Sequence, residues 1–470
     1  MKLKRRTASL LVVAFLAAGL GAAPPAHAEP WAGGDLTLEK CIALALERNL
    51  GYVTANLAGE AAASATRQAG DELAPQVTVG GSYDRFSADA GDGPEVTLTV
   101  EQTYPGLLPL VSLPRYPLPL TPVALARIGE DQARVRAEKT RGDLVFNVTQ
   151  AYYNVLKAAR LREVQEAALA SAESARKVIE AKVSAGTATR VDLLRAEMDV
   201  AQAELAMAKA KNSYITAETA LFALLRLDPP ATAVDYAPVP AAEAPKGTLE
   251  ALTDQALAKR PEVADAVLGL QRAISQENQA NFATLASVNL IGSYAGDHWS
   301  LTSSWNPLSG TVSWSATASN QTPADTTGTA GRLSAGSPSL SNGEWNVGIK
   351  VSYPLYDAGA LREAVLQAKL QTAQARNNLE QTKNSVVSEV QSAWFELEEA
   401  KLSVEAARRA VRLSAESQRL TRLRVENGVG TPSELSEANA DYLKAQVDLV
   451  QAEFAEQIAI AKVKKATGLL

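Results

Sequence analysis

The sequence predicts a mainly α-helical chain with a small β part of membrane-crossing length: internally duplicated, long coiled-coil helical hairpins plus four strands per chain. Three observations carry this reading. The chain resembles itself at two consistent offsets, and two proline-free stretches of helical composition each exceed fifty residues. Four short stretches switch to period two. Composition agrees: of 470 residues 46% are hydrophobic but only 5% aromatic. The apolar share is dominated by Ala, which suits long helices packed at close range.

The first 28 residues read as a signal peptide, with Lys2, Lys4, Arg5 and Arg6 as a basic region, Leu10 to Leu20 as an apolar run and Ala26-His27-Ala28 as the cleavage pattern. Cleavage there would start the mature chain at Glu29. It would take Lys+Arg from 46 to 42 against 52 Asp+Glu, moving the net charge from −6 to −10. That balance argues against a nucleic-acid partner. One Cys and two His, of which only His298 would remain, exclude a disulfide scaffold and a multi-histidine metal site. Cys41 reads as a small core residue. No cofactor motif, Walker loop, G-x-S-x-G or C-x-x-C occurs, so no catalytic residue is assigned.

Duplication is read from matching segments. Thr37-Leu38-Glu39 returns as Thr248-Leu249-Glu250, an offset of 211, and Ala151-Tyr152-Tyr153 matches Ala393-Trp394-Phe395, an offset of 242. The second offset also aligns Lys182 to Gly186 with Arg424 to Gly428, then Asp192 with Glu434 and Ala196 with Ala438. Extra residues therefore sit in the second half. The domain reading is a first repeat over 29–228, a Pro/Ala-rich linker over 229–247 and a second repeat over 248–470.

Each half reads helix, strand, strand, long helix, turn, helix. In the first, 37–70 is helical, and 76–86 and 95–104 alternate as strands around a Gly91, Gly93, Pro94 turn. The Pro/Leu-rich passage 105–122 cannot be a regular helix. A helix over 123–184 would be roughly 90 Å long, and after a tip turn at 184–190 a second helix runs over 190–227. In the second half a helix spans 248–284, strands fall at 287–296 and 344–355, and helices at 360–426 and 432–467 flank a tip turn at 426–432. Apolar residues recur at three and four along both long helices, as in Leu144, Val148, Tyr152, Val155 and Val386, Val390, Trp394, Leu397.

Four strands of about ten residues suit a tilted bilayer crossing, yet four cannot close a barrel, and open edges are forbidden in lipid. A barrel therefore requires several chains, and three copies would give 12 strands. The inserted segment 297–343 is rich in Ser, Thr, Gly and Asn and reads as a loop. Trp299, Trp305 and Trp314 lie in it and Trp345 at its edge, a cluster placed at the membrane interface. Tyr83, Tyr104 and Tyr294 read as lumen or girdle residues.

Three features now resemble the TolC family of outer-membrane efflux and secretion channels. They are the duplicated helix–hairpin–helix plan, the passage Tyr353-Pro354-Leu355-Tyr356-Asp357-Ala358-Gly359, and the tip turns Gly186 to Ala196 and Gly428 to Ala438. Each tip runs Gly, six residues to an acidic group, then an apolar residue and Ala. The resemblance implies a homotrimer in the outer membrane, with a 12-stranded β-barrel continued by a 12-helix α-barrel across the periplasm. It further implies a periplasmic adaptor (membrane fusion protein) and an inner-membrane pump of RND, ABC or MFS type, serving efflux or type I secretion. Gly186, Thr189, Gly428, Gly430, Thr431 and Pro432 would form the tip turns and adaptor contact. Glu434, Glu437 and Asp192 would line the pore constriction. The family's tip-locking Arg has no match, since Gly430 stands there, and Arg424, Arg195 and Arg190 are the nearby cations. Asp192 and Glu434 equally suit helix capping. The alternative is a periplasmic coiled-coil adaptor or scaffold.

Overall fold

The computed structural model describes residues 36–71, 74, 76–84, 95–104, 122–227, 236–237, 245, 247–285, 287–296, 298–306, 311–319, 343–353, 357–427 and 429–469. The signal peptide, the 105–121 passage, most of the linker and Gly428 lie outside the described residues.

The helices repeat in size and order. α1 (Leu38–Arg48) and α2 (Leu50–Asp71) precede the first strands, as α5 (Leu249–Lys259) and α6 (Pro261–Ala283) precede later ones. The long helices α3 (Pro122–Ser184, 63 residues) and α7 (Ala360–Glu426, 67 residues) lead to α4 (Arg190–Leu225) and α8 (Pro432–Ala466). Thr37 and Thr248 cap α1 and α5, their hydroxyls accepting from Lys40 N and Ala251 N.

Each single helix expected over 37–70 and 248–284 is instead two. Arg260 takes extended angles (φ −66°, ψ 128°) because Pro261 excludes the helical region for the residue before it. Asn49 makes the same break (φ −71°, ψ 120°) without a proline.

The expected strand count is corrected. Besides β1 (Gln76–Asp84), β2 (Glu95–Tyr104), β3 (Ser287–Ala295) and β6 (Trp345–Ser352), the supposed loop 297–343 contains β4 (Trp299–Asn306) and β5 (Thr311–Ser319). All six form one antiparallel sheet in the order β1-β2-β5-β4-β3-β6. The segment reads as a loop because Ser, Thr and Gly favour turns when unpaired. Between β2 and β3 their backbone groups instead find ladder partners.

The chain forms two compact units. One comprises Met1–Asn49, Leu144–Glu243 and Leu397–Ala461. Leu144, Val148, Tyr152 and Val155 are all buried in its core, as the spacing predicts. Cys41 is also buried there, and burial pushes its thiol up to about 12, so it stays protonated. Tyr152 is fully enclosed, its hydroxyl 2.8 Å from the carbonyl oxygens of both Leu36 and Ala237.

The other unit comprises Leu50–Asp143, Ala244–Glu396 and Lys462–Leu470, and so holds the sheet. Among the described residues Arg260 is its most enclosed cation, 6% exposed, and bonds Glu262, Glu389 and the Ala466 carbonyl near the end of α8.

Candidate functional site

Strand register sorts the sheet into two chemically opposite faces. Cross-strand partners share a face, so Val79, Val100, Ala316, Leu301, Tyr294 and Trp345 lie in one row on one side. The same face carries Val77, Leu98, Val312, Trp314, Trp305, Trp299, Val288, Leu290, Val347, Ile349 and Val351. The opposite face carries Thr78 on β1, Thr97, Thr99, Glu101 and Thr103 on β2, and Asn346, Lys350 and Ser352 on β6. On β4 and β5 that face is hydroxyl or amide throughout: Ser300, Thr302, Ser304 and Asn306 opposite Thr317, Ser315, Ser313 and Thr311. Their hydroxyls bond across the pair, Thr302 to Ser315 and Ser304 to Ser313, each at 2.7 Å.

The apolar face is bare at its edges. Val77, Val79 and Leu98 on one side and Trp345, Val347, Ile349 and Val351 on the other are 51–73% exposed. Water disfavours such a contiguous patch, whereas lipid suits it. All four tryptophans singled out in the sequence lie on this face. Trp299 and Trp345 stand at one end of their strands, and Trp299 stacks near Tyr294 with ring centroids 5.1 Å apart. Trp305 lies toward the other end of β4 and Trp314 toward the corresponding end of β5. Gly296 makes room for the first pair, since a Cβ there would meet the Trp299 ring at 2.5 Å.

The strand-to-helix passage has a local cause. Asp357 accepts from the backbone N–H groups of Gly359 (2.9 Å) and Leu361 (2.8 Å), starting α7.

The two tip turns lie in the other unit. In the first, Gly186 takes φ +75° and ends α3. Thr189 and Asp192 then form a reciprocal capping box: Asp192 N donates to the Thr189 hydroxyl at 3.2 Å, and Thr189 N donates to the Asp192 carboxylate at 3.0 Å. Hydrogen bonds from the Thr189 hydroxyl and backbone hold the Asp192 carboxyl below the usual carboxylate range. Its capping contribution is therefore present above the unfolded carboxyl value and fades only as pH falls through the lower folded one. Thr189→Ala is expected to loosen this turn by about 1 kcal/mol. Hydrogen–deuterium exchange over 185–193 checks this, and unchanged protection would contradict the cap.

In the second turn Thr431 caps α8, accepting from Glu434 N at 3.3 Å, with Pro432 at the first helical position. Gly430 packs against the preceding turn, where a Cβ would meet Val425 and Arg424 atoms at 3.0–3.1 Å. Glu434 pairs with Arg424 at 3.5 Å, so one of the three cations noted in the sequence is tied to the acidic tip. Ser436 on α8 donates to Asp199 on α4 at 2.7 Å, and Gln418 on α7 to Asn439 on α8 at 2.8 Å. The structure thus brings Glu434 to a cation and Asp192 to a cap, and leaves Glu437 exposed.

Sequence reasoning missed the β4–β5 hairpin and Arg260. The hairpin carries a readable signal, period-two alternation in Trp299–Asn306 and Thr311–Ser319 around a Pro307 to Gly310 turn. Arg260 carries none, being one cation among many. Among the described residues no cluster of His, Cys, Asp and Glu suits a metal, and no helix is long and apolar enough to cross a membrane.

A family model described as outer membrane efflux protein matches residues 41–225 and 252–469. No curated protein matches significantly. Solved structures share the fold. An outer membrane protein VceC of Vibrio cholerae gives a TM-score of 0.70 at 17% identity, covering 92% of this chain and 96% of that one. The open state of the Neisseria gonorrhoeae MtrE outer membrane channel gives 0.68 at 21%, covering 92% and 89%. The Campylobacter jejuni CmeC outer membrane channel gives 0.67 at 19%, covering 92% and 85%.

Proposed function

The chain belongs to the outer membrane efflux protein family, and from that premise we propose that three copies assemble into an exit duct gated at its helical tip. The carrying observation is the two-faced sheet with a free β1 edge and a free β6 edge. Lipid tolerates neither edge, and joining β6 of one copy to β1 of the next removes both. In this arrangement the apolar face meets lipid, Trp299 and Trp345 sit at one interface and Trp305 and Trp314 toward the other, and the hydroxyl face lines the passage. The matching helix sizes of the two halves support a duplicated repeat.

The duct has no energy source of its own, so a periplasmic adaptor and an inner-membrane pump supply it. The adaptor meets the tip turns around Gly186, Thr189, Gly428, Gly430, Thr431 and Pro432. In the trimer Glu437 faces the constriction with Glu434 and Asp192 close by. Tripartite efflux and type I secretion both fit this duct. Nothing in the fold favours the soluble adaptor or scaffold reading.

The test is membrane fractionation followed by planar-bilayer recording. A heat-modifiable trimer in the outer membrane that conducts ions is the expected result. A species soluble without detergent would overturn the reading.

A further inference from the structure

We infer that the β4–β5 hairpin is part of the barrel wall, so that the outer-membrane barrel has 18 strands and a hydroxyl-lined lumen wider than 12 strands would enclose. This rests on the trimeric duct proposed above. The hairpin is inserted between β2 and β3, the innermost strands contributed by the two halves, and pairs with both along most of its length. Taking it out of the wall would break its ladders with β2 and β3 and require those two strands to pair directly instead.

Direction and parity agree with closure. Every neighbouring pair is antiparallel, so β1 and β6 run in opposite senses and six strands per copy join antiparallel at each seam. The inclination agrees too. The row from Val79 ends on Trp345, four residues further from the helix side of β6 than Val79 is on β1. That shift is about 13 Å over about 24 Å of sheet width, an inclination of about 30°, the stagger a barrel wall needs.

The hairpin obeys the wall's chemistry as well, with Trp305, Leu301 and Trp314 on the lipid side and Thr302, Ser304 and Ser315 on the lumen side. At a spacing of 4.8 Å and a tilt of about 30–40°, 12 strands give a backbone diameter of about 21–24 Å and 18 give about 32–36 Å.

Only four strand ends per copy adjoin helices in chain order (α2, α3, α6 and α7), while β4 is followed directly by β5. The barrel therefore gains width without a matching gain in helices. Its added lumen wall carries hydroxyl and amide groups and no charge.

Paired cysteines in a Cys41→Ala background test the wall. Thr99→Cys with Thr317→Cys, and Ser293→Cys with Thr302→Cys, are expected to lock by disulfide in the outer-membrane trimer. Thr99→Cys with Asn289→Cys or Ser293→Cys is expected to stay unlinked. The reverse pattern, β2 bonding β3 directly, overturns the inference. Electron cryomicroscopy of the wild-type trimer gives a second readout: 18 strands and a barrel about 32–36 Å wide support it, and 12 strands with the hairpin outside the wall overturn it. A trimer with 12 strands sinks this inference alone, whereas a chain that forms no trimer sinks the duct itself.

Discussion

Arg260→Ala is expected to destabilise the protein by about 3 kcal/mol, the scale for removing one partner of a buried ionic cluster. The guanidinium is 6% exposed and works in three directions: Nε to Glu262 at 2.9 Å, Nη2 to Glu389 at 2.9 Å and Nη1 to the Ala466 carbonyl at 3.3 Å. It sits where α5 breaks into α6, so one side chain ties that break to α7 and to the last turn of α8. Removing it leaves the Glu262 carboxylate, 20% exposed, short of its main counter-charge. The figure is taken at the low end because Glu389 is 40% exposed.

Arg260→Lys is expected to recover only part of the loss, since an ammonium cannot reproduce the planar fork. Thermal melting of the purified protein followed by circular dichroism measures both variants, and an Arg260→Ala melt matching wild type would refute the argument.

The same cluster predicts an acid dependence. Burial alone would raise the Glu262 carboxyl, but hydrogen bonding and charge from Arg260, with Lys139 nearby, hold it below the usual carboxylate range. A carboxyl lowered on folding adds stability above its unfolded value near 4.3 and loses it as pH falls through the folded value. Melting temperature should therefore drop below about pH 4 in wild type. The drop should be shallower in Glu262→Gln, and equal slopes would remove Glu262 from the explanation.

The second large effect concerns conduction. Glu437→Gln is expected to lower the cation-over-anion permeability ratio about fivefold, the equivalent of about 1 kcal/mol, by removing the ring of three carboxylates that the proposed trimer places at the tip. Glu437 is singled out because it is exposed, whereas Asp192 is committed to its cap and Glu434 to Arg424. The double variant Arg424→Gln/Glu434→Gln removes an ion pair with no net charge and is expected to leave the ratio close to wild type. Reversal potentials in asymmetric salt across single trimers read both. A ratio unmoved by Glu437→Gln, or moved more by the double variant, would relocate the selective ring.

The sequence by itself determined the long helices, the four flanking strands and the tip turns. These depend on local signals: heptad-like spacing in Leu144 to Val155, period-two alternation in Val96 to Val100, and Gly, Thr and Pro at turn positions. The placement of Thr189 and Asp192 in one capping box was legible for the same reason, since both partners lie within a single turn.

Only the tertiary structure decided three things. It decided that Asn49 breaks an apparent single helix, where no proline marks the break as Pro261 does after Arg260. It decided that Arg260 is buried among Glu262, Glu389 and Ala466, groups up to two hundred residues apart whose meeting no periodicity records. And it decided that Trp299–Asn306 and Thr311–Ser319 are strands paired between β2 and β3 rather than loop. A Ser/Thr-rich segment is turn-like while its backbone faces water. Its period-two alternation is legible, but its partners are not: β2 and β3 each supply a ladder to it only in three dimensions.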